Sequence, residues 1–216
     1  MKRLPITKES PHPDAIAAAI AVFKQGGIVV YPTDTCYGLG VDARNQPAVR
    51  RLIQMKSRNL RAKPFSVIVA SIDDITSRNL AQVDDRVERI LRRYLPGPFT
   101  FILINLDFRI SRSSSIGIRI PQCATTSMLC AELHAPYTTT SANVGGLPSA
   151  YSYDELEVSL LTPLRQQQQA LPDLMLDAGP LKKTAPSTVV DLTSTPARIL
   201  REGSGTFREL SDSSIR

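Results

Sequence analysis

Charged and hydroxyl side chains gather in four short stretches of this 216-residue chain. The densest in charge is MKSRNLRAKP, Met55 to Pro64, where Lys56, Arg58, Arg61 and Lys63 stand close together. Like charges at that density repel unless an anion lies among them, and Arg with Lys suits phosphate. Charge alone leaves a solvated loop as an equal alternative. TTTSANVGGLPS, Thr138 to Ser149, contains no acidic, basic or histidine side chain. Its hydroxyls, the Asn143 amide and the backbone N–H groups around Gly145 and Gly146 can line a phosphate without adding charge. YPTDTCYGLG, Tyr31 to Gly40, sets Thr33, Asp34 and Thr35 after an apolar run, with an ordinary polar turn as its alternative. The fourth group is Arg119 in IGIRIP and Arg201 in ILREG, with Ser187 and Thr188 at the start of STVVDLT. A charge inside an apolar run either reaches out to water or meets a carboxylate or phosphate. Together the four predict a large polar concavity that accepts an anion.

Several chemistries are excluded by what the chain lacks. No G-x-x-x-x-G-K-[ST] loop occurs, and no glycine-rich dinucleotide fingerprint joins a strand to a helix. The only histidines are His12 and His134, without the spacing of a metal centre or a Ser-His-Asp arrangement. Chemistry here must rest on positioning and charge stabilisation. Cys36, Cys123 and Cys130 have neither the number nor the spacing of a disulfide framework, so buried thiols are expected. A net charge of +6 suits a polyanionic partner such as a nucleotide or RNA. No apolar run of about eighteen residues and no signal-like start is present, which reads as a cytoplasmic protein that does not enter membranes.

The elements that must position these groups follow from periodicity. Asp14 reads as an N-cap for a helix with Ile16, Ile20 and Phe23 on one face, stopped by Gly26 and Gly27. GIVVYPT is a buried strand ending at Pro32. A helix over 48–55, the strand PFSVIVA, a helix over 84–94 and the strand TFILINL come next. On the second of those helices Arg86, Arg89, Arg92 and Arg93 form a solvated face around Val87, Ile90 and Leu91. SIGIRIP predicts a strand, QCATTSMLCAELH a helix, APYTTTSA a strand, and 153–161 a helix. Short apolar runs fill the last third. This order predicts an α/β fold, a twisted open mixed sheet flanked by helices, with one domain over 1–203 and a polar, loosely held tail over 204–216.

PTDTCYGLG, KSR, PGPFT, IRIP, SAN-x-GG-x-PS, PSTVVD and REG, in this order, resemble the YrdC-like family of L-threonylcarbamoyladenylate synthases. The resemblance covers roughly Ile20 to Gly203 and is to the single-domain form. It implies a large positive cavity and a reaction joining L-threonine, bicarbonate or CO2, and ATP into threonylcarbamoyl-AMP and pyrophosphate. The product serves the threonylcarbamoyladenosine modification of tRNA through a separate transferase complex; the alternatives are a YrdC-like paralogue acting on another substrate and a module that binds double-stranded RNA or tRNA. By motif, Lys56, Arg58, Ser141 and Asn143 are the expected catalytic set. Lys63, Ser115, Ser149 and Arg201 join them on ATP, while Thr33, Thr35, Arg119, Thr139 and Ser187 fall to the threonine pocket. Magnesium is expected with the triphosphate, with the Asn143 oxygen as its candidate protein contact. Asp34 is left between assisting magnesium and capping a turn. Asn59 stands after KSR where the family usually has Pro, and PFSVIVA is read as offering only apolar groups toward threonine.

Overall fold

The computed structural model of the protein describes residues 1–56 and 66–209. The element order is β1 (Lys2–Pro5), α1 (Pro13–Lys24), β2 (Val29–Pro32), β3 (Tyr37–Gly40), α2 (Gln46–Met55), β4 (Ser66–Ile68), α3 (Ile72–Ser77), α4 (Asp85–Tyr94), β5 (Phe99–Ile104), β6 (Ser115–Arg119), α5 (Ala124–Leu133), β7 (Tyr137–Ser141), α6 (Tyr153–Leu156), a π-helical stretch Glu157–Leu161, α7 (Thr162–Gln166), β8 (Leu174–Asp177), β9 (Thr188–Asp191) and β10 (Arg198–Arg201). The strands form one ten-stranded sheet in the order β1-β8-β2-β3-β7-β4-β6-β5-β9-β10. Parallel pairs (β2 with β8, β4 with β6, β5 with β9) occur beside antiparallel ones (β2 with β3, β4 with β7, β5 with β6), so the sheet is mixed, as expected.

The two halves of the sheet are covered differently. Around β2, β3 and β8, side chains on both faces are buried: Val30, Leu39 and Met175 pack with Leu52 of α2 and Leu156 and Leu160 of the 153–166 helical segment. On the other face Val29, Tyr31 and Leu174 pack with Ile16, Ile20 and Phe23 of α1 and Leu129 and Leu133 of α5. In the half built from β4, β6, β5 and β9, one set of alternate residues (Val67, Ile116, Ile118, Phe101, Leu103 and Val190) packs under Ile75 of α3 and Ile90 and Leu91 of α4. The opposite face of that half carries polar residues. A strand shows its residues alternately to the two faces, so the apolar set under the helices and the polar set lie on opposite sides of this half of the sheet.

Local details depart from expectation in instructive ways. Helix α1 begins at Pro13 with His12 as its N-cap, whose ring Nδ1 accepts the Asp14 N–H, rather than at Asp14. Pro at the first helical position has no N–H to waste there. The second half of YPTDTCYGLG is strand β3 and not loop. Its Gly40 is required by a close approach, since a Cβ there would stand 2.2 Å from the Thr138 carbonyl oxygen of β7. The helix read over 153–161 continues to Gln166 through its π-helical stretch. Of the expected tail, 204–209 are packed: Phe207 meets Tyr94 and Phe101, the Thr188 hydroxyl donates to the Gly205 carbonyl, and Arg86 pairs with Glu209. Residues 210–216 lie outside the described residues.

As expected, α4 turns Arg86, Arg89, Arg92 and Arg93 away from buried Val87, Ile90 and Leu91, and the three cysteines are free and buried. No helix among the described residues is long and apolar enough to cross a membrane.

Candidate functional site

A cavity of about 470 Å³ lies on the uncovered face of the β4–β6–β5–β9 half. Its floor is a row of residues in strand register: Ile102 of β5 opposite Gly117 of β6, Gly117 opposite Ser66 of β4, and Ser66 opposite Thr139 of β7. Thr100, Ser115 and Arg119 extend the floor, and Thr35, Ser141, Ser149, Ser187 and Arg201 stand around it. Many of the polar groups lie along the strands, on one face of the sheet. Gly117, with no side chain, leaves room for the Ser66 side chain in the row. Ser66 corrects the reading of PFSVIVA as wholly apolar, because its side chain lines the cavity.

Two guanidinium groups and no carboxylate line this space among the described residues. Arg119 donates from Nη2 to Asp34 Oδ1 at 3.0 Å, and the Asp34 Oδ2 accepts the Gln122 N–H at 3.2 Å. Arg119 Nε and Thr139 Oγ1 are buried without a partner. Arg201, from the edge strand β10, donates to the Ser187 carbonyl from Nε at 3.1 Å and from Nη2 at 2.8 Å, and to the Ser187 hydroxyl at 3.1 Å. Ser187 in turn shares a hydrogen bond with Thr100 at 2.9 Å. Burial holds the Arg201 guanidinium below its usual value, and the neighbouring charge of Arg119 acts in the same direction. A cavity with one buried cation, Arg119, and a second, more exposed one, Arg201, in its wall attracts an anion.

The loop Ser141–Ser149 is held by Lys56. Its Nζ donates to the Ser141 carbonyl at 2.7 Å, to the Asn143 side-chain Oδ1 at 2.8 Å and to the Asn143 carbonyl. Ser141 Oγ also donates to Asn143 Oδ1, and the Asn143 amide donates to the Leu147 carbonyl. Lys56, Ser141 and Asn143 therefore come together as the sequence predicted, with Lys56 turned onto the loop. Among the described residues no group of three or more His, Cys, Asp or Glu gathers to hold a metal. Asn143 Oδ1 already accepts twice. The residues present do not build a magnesium site of their own.

Of the expected site residues, Thr35, Ser115, Arg119, Thr139, Ser141, Ser149, Ser187 and Arg201 share the one cavity. Thr33 does not line it; its hydroxyl accepts the N–H groups of Thr35 and Cys36 and donates to the Cys36 carbonyl, fixing the turn that presents Thr35. Arg58 and Lys63, with Arg61 and Asn59, lie outside the described residues. Sequence reasoning missed Ser66, Thr100, Cys36 and Ile102. Thr100 and Ser66 had a signal, a hydroxyl in an otherwise apolar strand; Ile102 had none. Burial pushes the Cys36 thiol up, against the pull of the Arg119 charge, so it remains a neutral thiol.

The Sua5/YciO/YrdC family model, described as "Telomere recombination", matches residues 21–203. The chain belongs to this family. Relatives of this Sua5/YciO/YrdC protein include the putative threonylcarbamoyl-AMP synthase of Mycobacterium leprae, 34% identical over 192 residues, covering 87% of this chain and 82% of that one. The putative threonylcarbamoyl-AMP synthase of Methanocaldococcus jannaschii is 34% identical over 181 residues, covering 82% and 80%. Among solved structures, Pyrococcus abyssi Sua5 complexed with L-threonine superposes with a TM-score of 0.81 at 26% identity. That match covers 94% of this chain and 58% of the larger archaeal protein. Escherichia coli YciO gives 0.81 at 26% identity and covers 95% of this chain and 98% of its own.

Proposed function

We propose that the protein is an L-threonylcarbamoyladenylate synthase, a nucleotidyltransferase acting for tRNA modification. The observation that carries this reading is the single cavity shared by Arg119, Arg201, Thr35, Thr139 and Ser187 and bordered by the Lys56-held Ser141 and Asn143 loop. The relatives named threonylcarbamoyl-AMP synthase and the L-threonine-bound Sua5 support it.

In this reading the L-threonine amine takes up CO2, or bicarbonate with loss of water, to give a carbamate. A carbamate oxygen attacks the α-phosphorus of ATP, a P–O bond to the β-phosphate breaks, and pyrophosphate leaves. Such a reaction asks little covalent chemistry of the protein. It needs the carbamate held in line with phosphorus and the departing charge stabilised. Arg119 receives the amino-acid carboxylate, and Ser141, Ser149 and the loop N–H groups face the nucleotide. Magnesium arrives with ATP, held by phosphate oxygens and water.

Purified protein incubated with ATP, magnesium, L-threonine and bicarbonate should yield threonylcarbamoyl-AMP by mass spectrometry, and none when any substrate is omitted. ATP binding without adenylate formation would defeat the reading. It would favour a related activity on another amino acid, for which Asn59, standing after Arg58 where the family usually has Pro, is the motivating observation.

A further inference from the structure

Asp34 stands beside the cavity without lining it. Its side chain is 9% exposed and that of Arg119 11%, so the two form a buried ion pair. Both carboxylate oxygens are committed, Oδ1 to Arg119 Nη2 and Oδ2 to the Gln122 N–H. Its backbone is fixed on either side by the Thr33 hydroxyl, which bonds Thr35 N and Cys36 N. The acid is therefore a rigid anchor, and Arg119 is what it anchors.

On the cavity side, two buried polar atoms lack partners, Arg119 Nε and Thr139 Oγ1, and both belong to lining residues. A buried guanidinium N–H left without an acceptor is costly, so its place in a cavity wall calls for an anionic oxygen from a ligand. An unanchored Arg119 has several rotatable bonds and a second cation, Arg201, nearby, whose repulsion would turn it aside. Fixing one edge of the planar guanidinium fixes the direction of the others.

We propose that Asp34 is a positioning residue that holds Arg119 by Nη2 so that Nε, together with the Thr139 hydroxyl, receives the carboxylate of an amino-acid substrate. This rests on reading the cavity as an amino-acid site. Asp34 thereby governs amino-acid affinity and leaves the nucleotide side of the site alone.

The test compares wild type with Asp34→Asn and Asp34→Ala. Asn is isosteric but its amide nitrogen cannot accept, so one of the two bonds is lost. Expected is a rise of about tenfold or more in the L-threonine Kd by calorimetry and in its KM, the loss of one charge-assisted hydrogen bond. The ATP KM should stay within about twofold, and kcat at saturating L-threonine should fall far less than the amino-acid KM rises. L-threoninamide, which has no carboxylate, should bind both proteins equally weakly. Unchanged L-threonine affinity, or a parallel loss for ATP and L-threonine, overturns the proposal, the second because it marks a merely structural strut.

A substrate-free readout separates this from the functional reading. Nitrogen-15 NMR should show restricted rotation of the Arg119 guanidinium in wild type that is released in Asp34→Asn; retained restriction overturns the proposal. Should wild type fail to bind L-threonine, the functional reading falls and the NMR result decides the positioning role alone.

Discussion

Gly117 and Ser66 face each other across the β6–β4 register, and a Cβ on Gly117 would stand 2.3 Å from the Ser66 hydroxyl oxygen. Gly117→Ala therefore forces Ser66 to move or the two strands to part. Overpacking of this kind costs about 1–3 kcal/mol, and the added methyl displaces the Ser66 side chain that lines the cavity floor. We expect a lower Tm and weaker L-threonine binding. Adding Ser66→Gly to Gly117→Ala should restore much of the Tm, which thermal melts of the single and double variants will check.

Removing the Lys56 ammonium should damage both stability and activity. Lys56→Met removes the donor to the Asn143 carbonyl and one of two donors to the Ser141 carbonyl, which keeps the Asn143 N–H, and to Asn143 Oδ1, which keeps the Ser141 hydroxyl. An unsatisfied buried acceptor costs about 1–3 kcal/mol. Denaturant unfolding should show a loss in this range together with a large fall in adenylate formation. Full stability with activity lost would instead mark Lys56 as acting on substrate alone.

Phe207 should matter to stability although it lies in the polar end of the chain. Its ring centroid is 5.2 Å from that of Tyr94 and 6.3 Å from that of Phe101. Phe207→Ala, at a partly buried site, should cost about 1–3 kcal/mol, below the range for a fully buried Phe. Urea midpoints will measure it.

Acid should destabilise the fold through specific carboxylates. The Arg109 guanidinium holds the Asp107 carboxyl below its usual value, Lys183 does so for Glu155, and Arg165 for Glu157. A depressed folded pKa gives stability that is present above the unfolded value and lost as pH falls through the folded one. Tm should be nearly flat from neutral pH to about pH 5 and decline below about pH 4. Asp107→Asn should flatten the decline. Because Arg109, Lys183 and Arg165 are exposed, salt near 1 M should flatten it too.

Strands and helices with strong periodicity were legible in the sequence: α1, α4, β2, β5 and β6 fall where their apolar patterns put them. β3 was not, because Gly38 and Gly40 have strand backbones but a turn-like composition; what makes them strand is their pairing with β2 and β7, whose close approach leaves no room for side chains there. β1 has one apolar side chain in Lys2–Pro5 and is a strand only through its pairing with β8. At the site, Arg119, Arg201 and the Ser141–Ser149 loop could be picked out because charge or dense hydroxyls in such settings need a reason. The anchoring role of Asp34 was hidden, since its partner is 85 positions away. Thr33 was assigned to the pocket by its motif, and only the hydrogen bonds of the turn show that its hydroxyl faces inward.

The cavity takes its wall from Thr35 near the start of the chain and from Arg201 on the last strand. The wall therefore forms only when segments far apart in the sequence have come together. A nascent chain halted ahead of β10 can pair its earlier strands, yet it lacks the second guanidinium and the Ser187 contacts that Arg201 supplies. Ligand capture is thus tied to molecules in which β10 has docked, and a ligand that binds this wall favours that folded state.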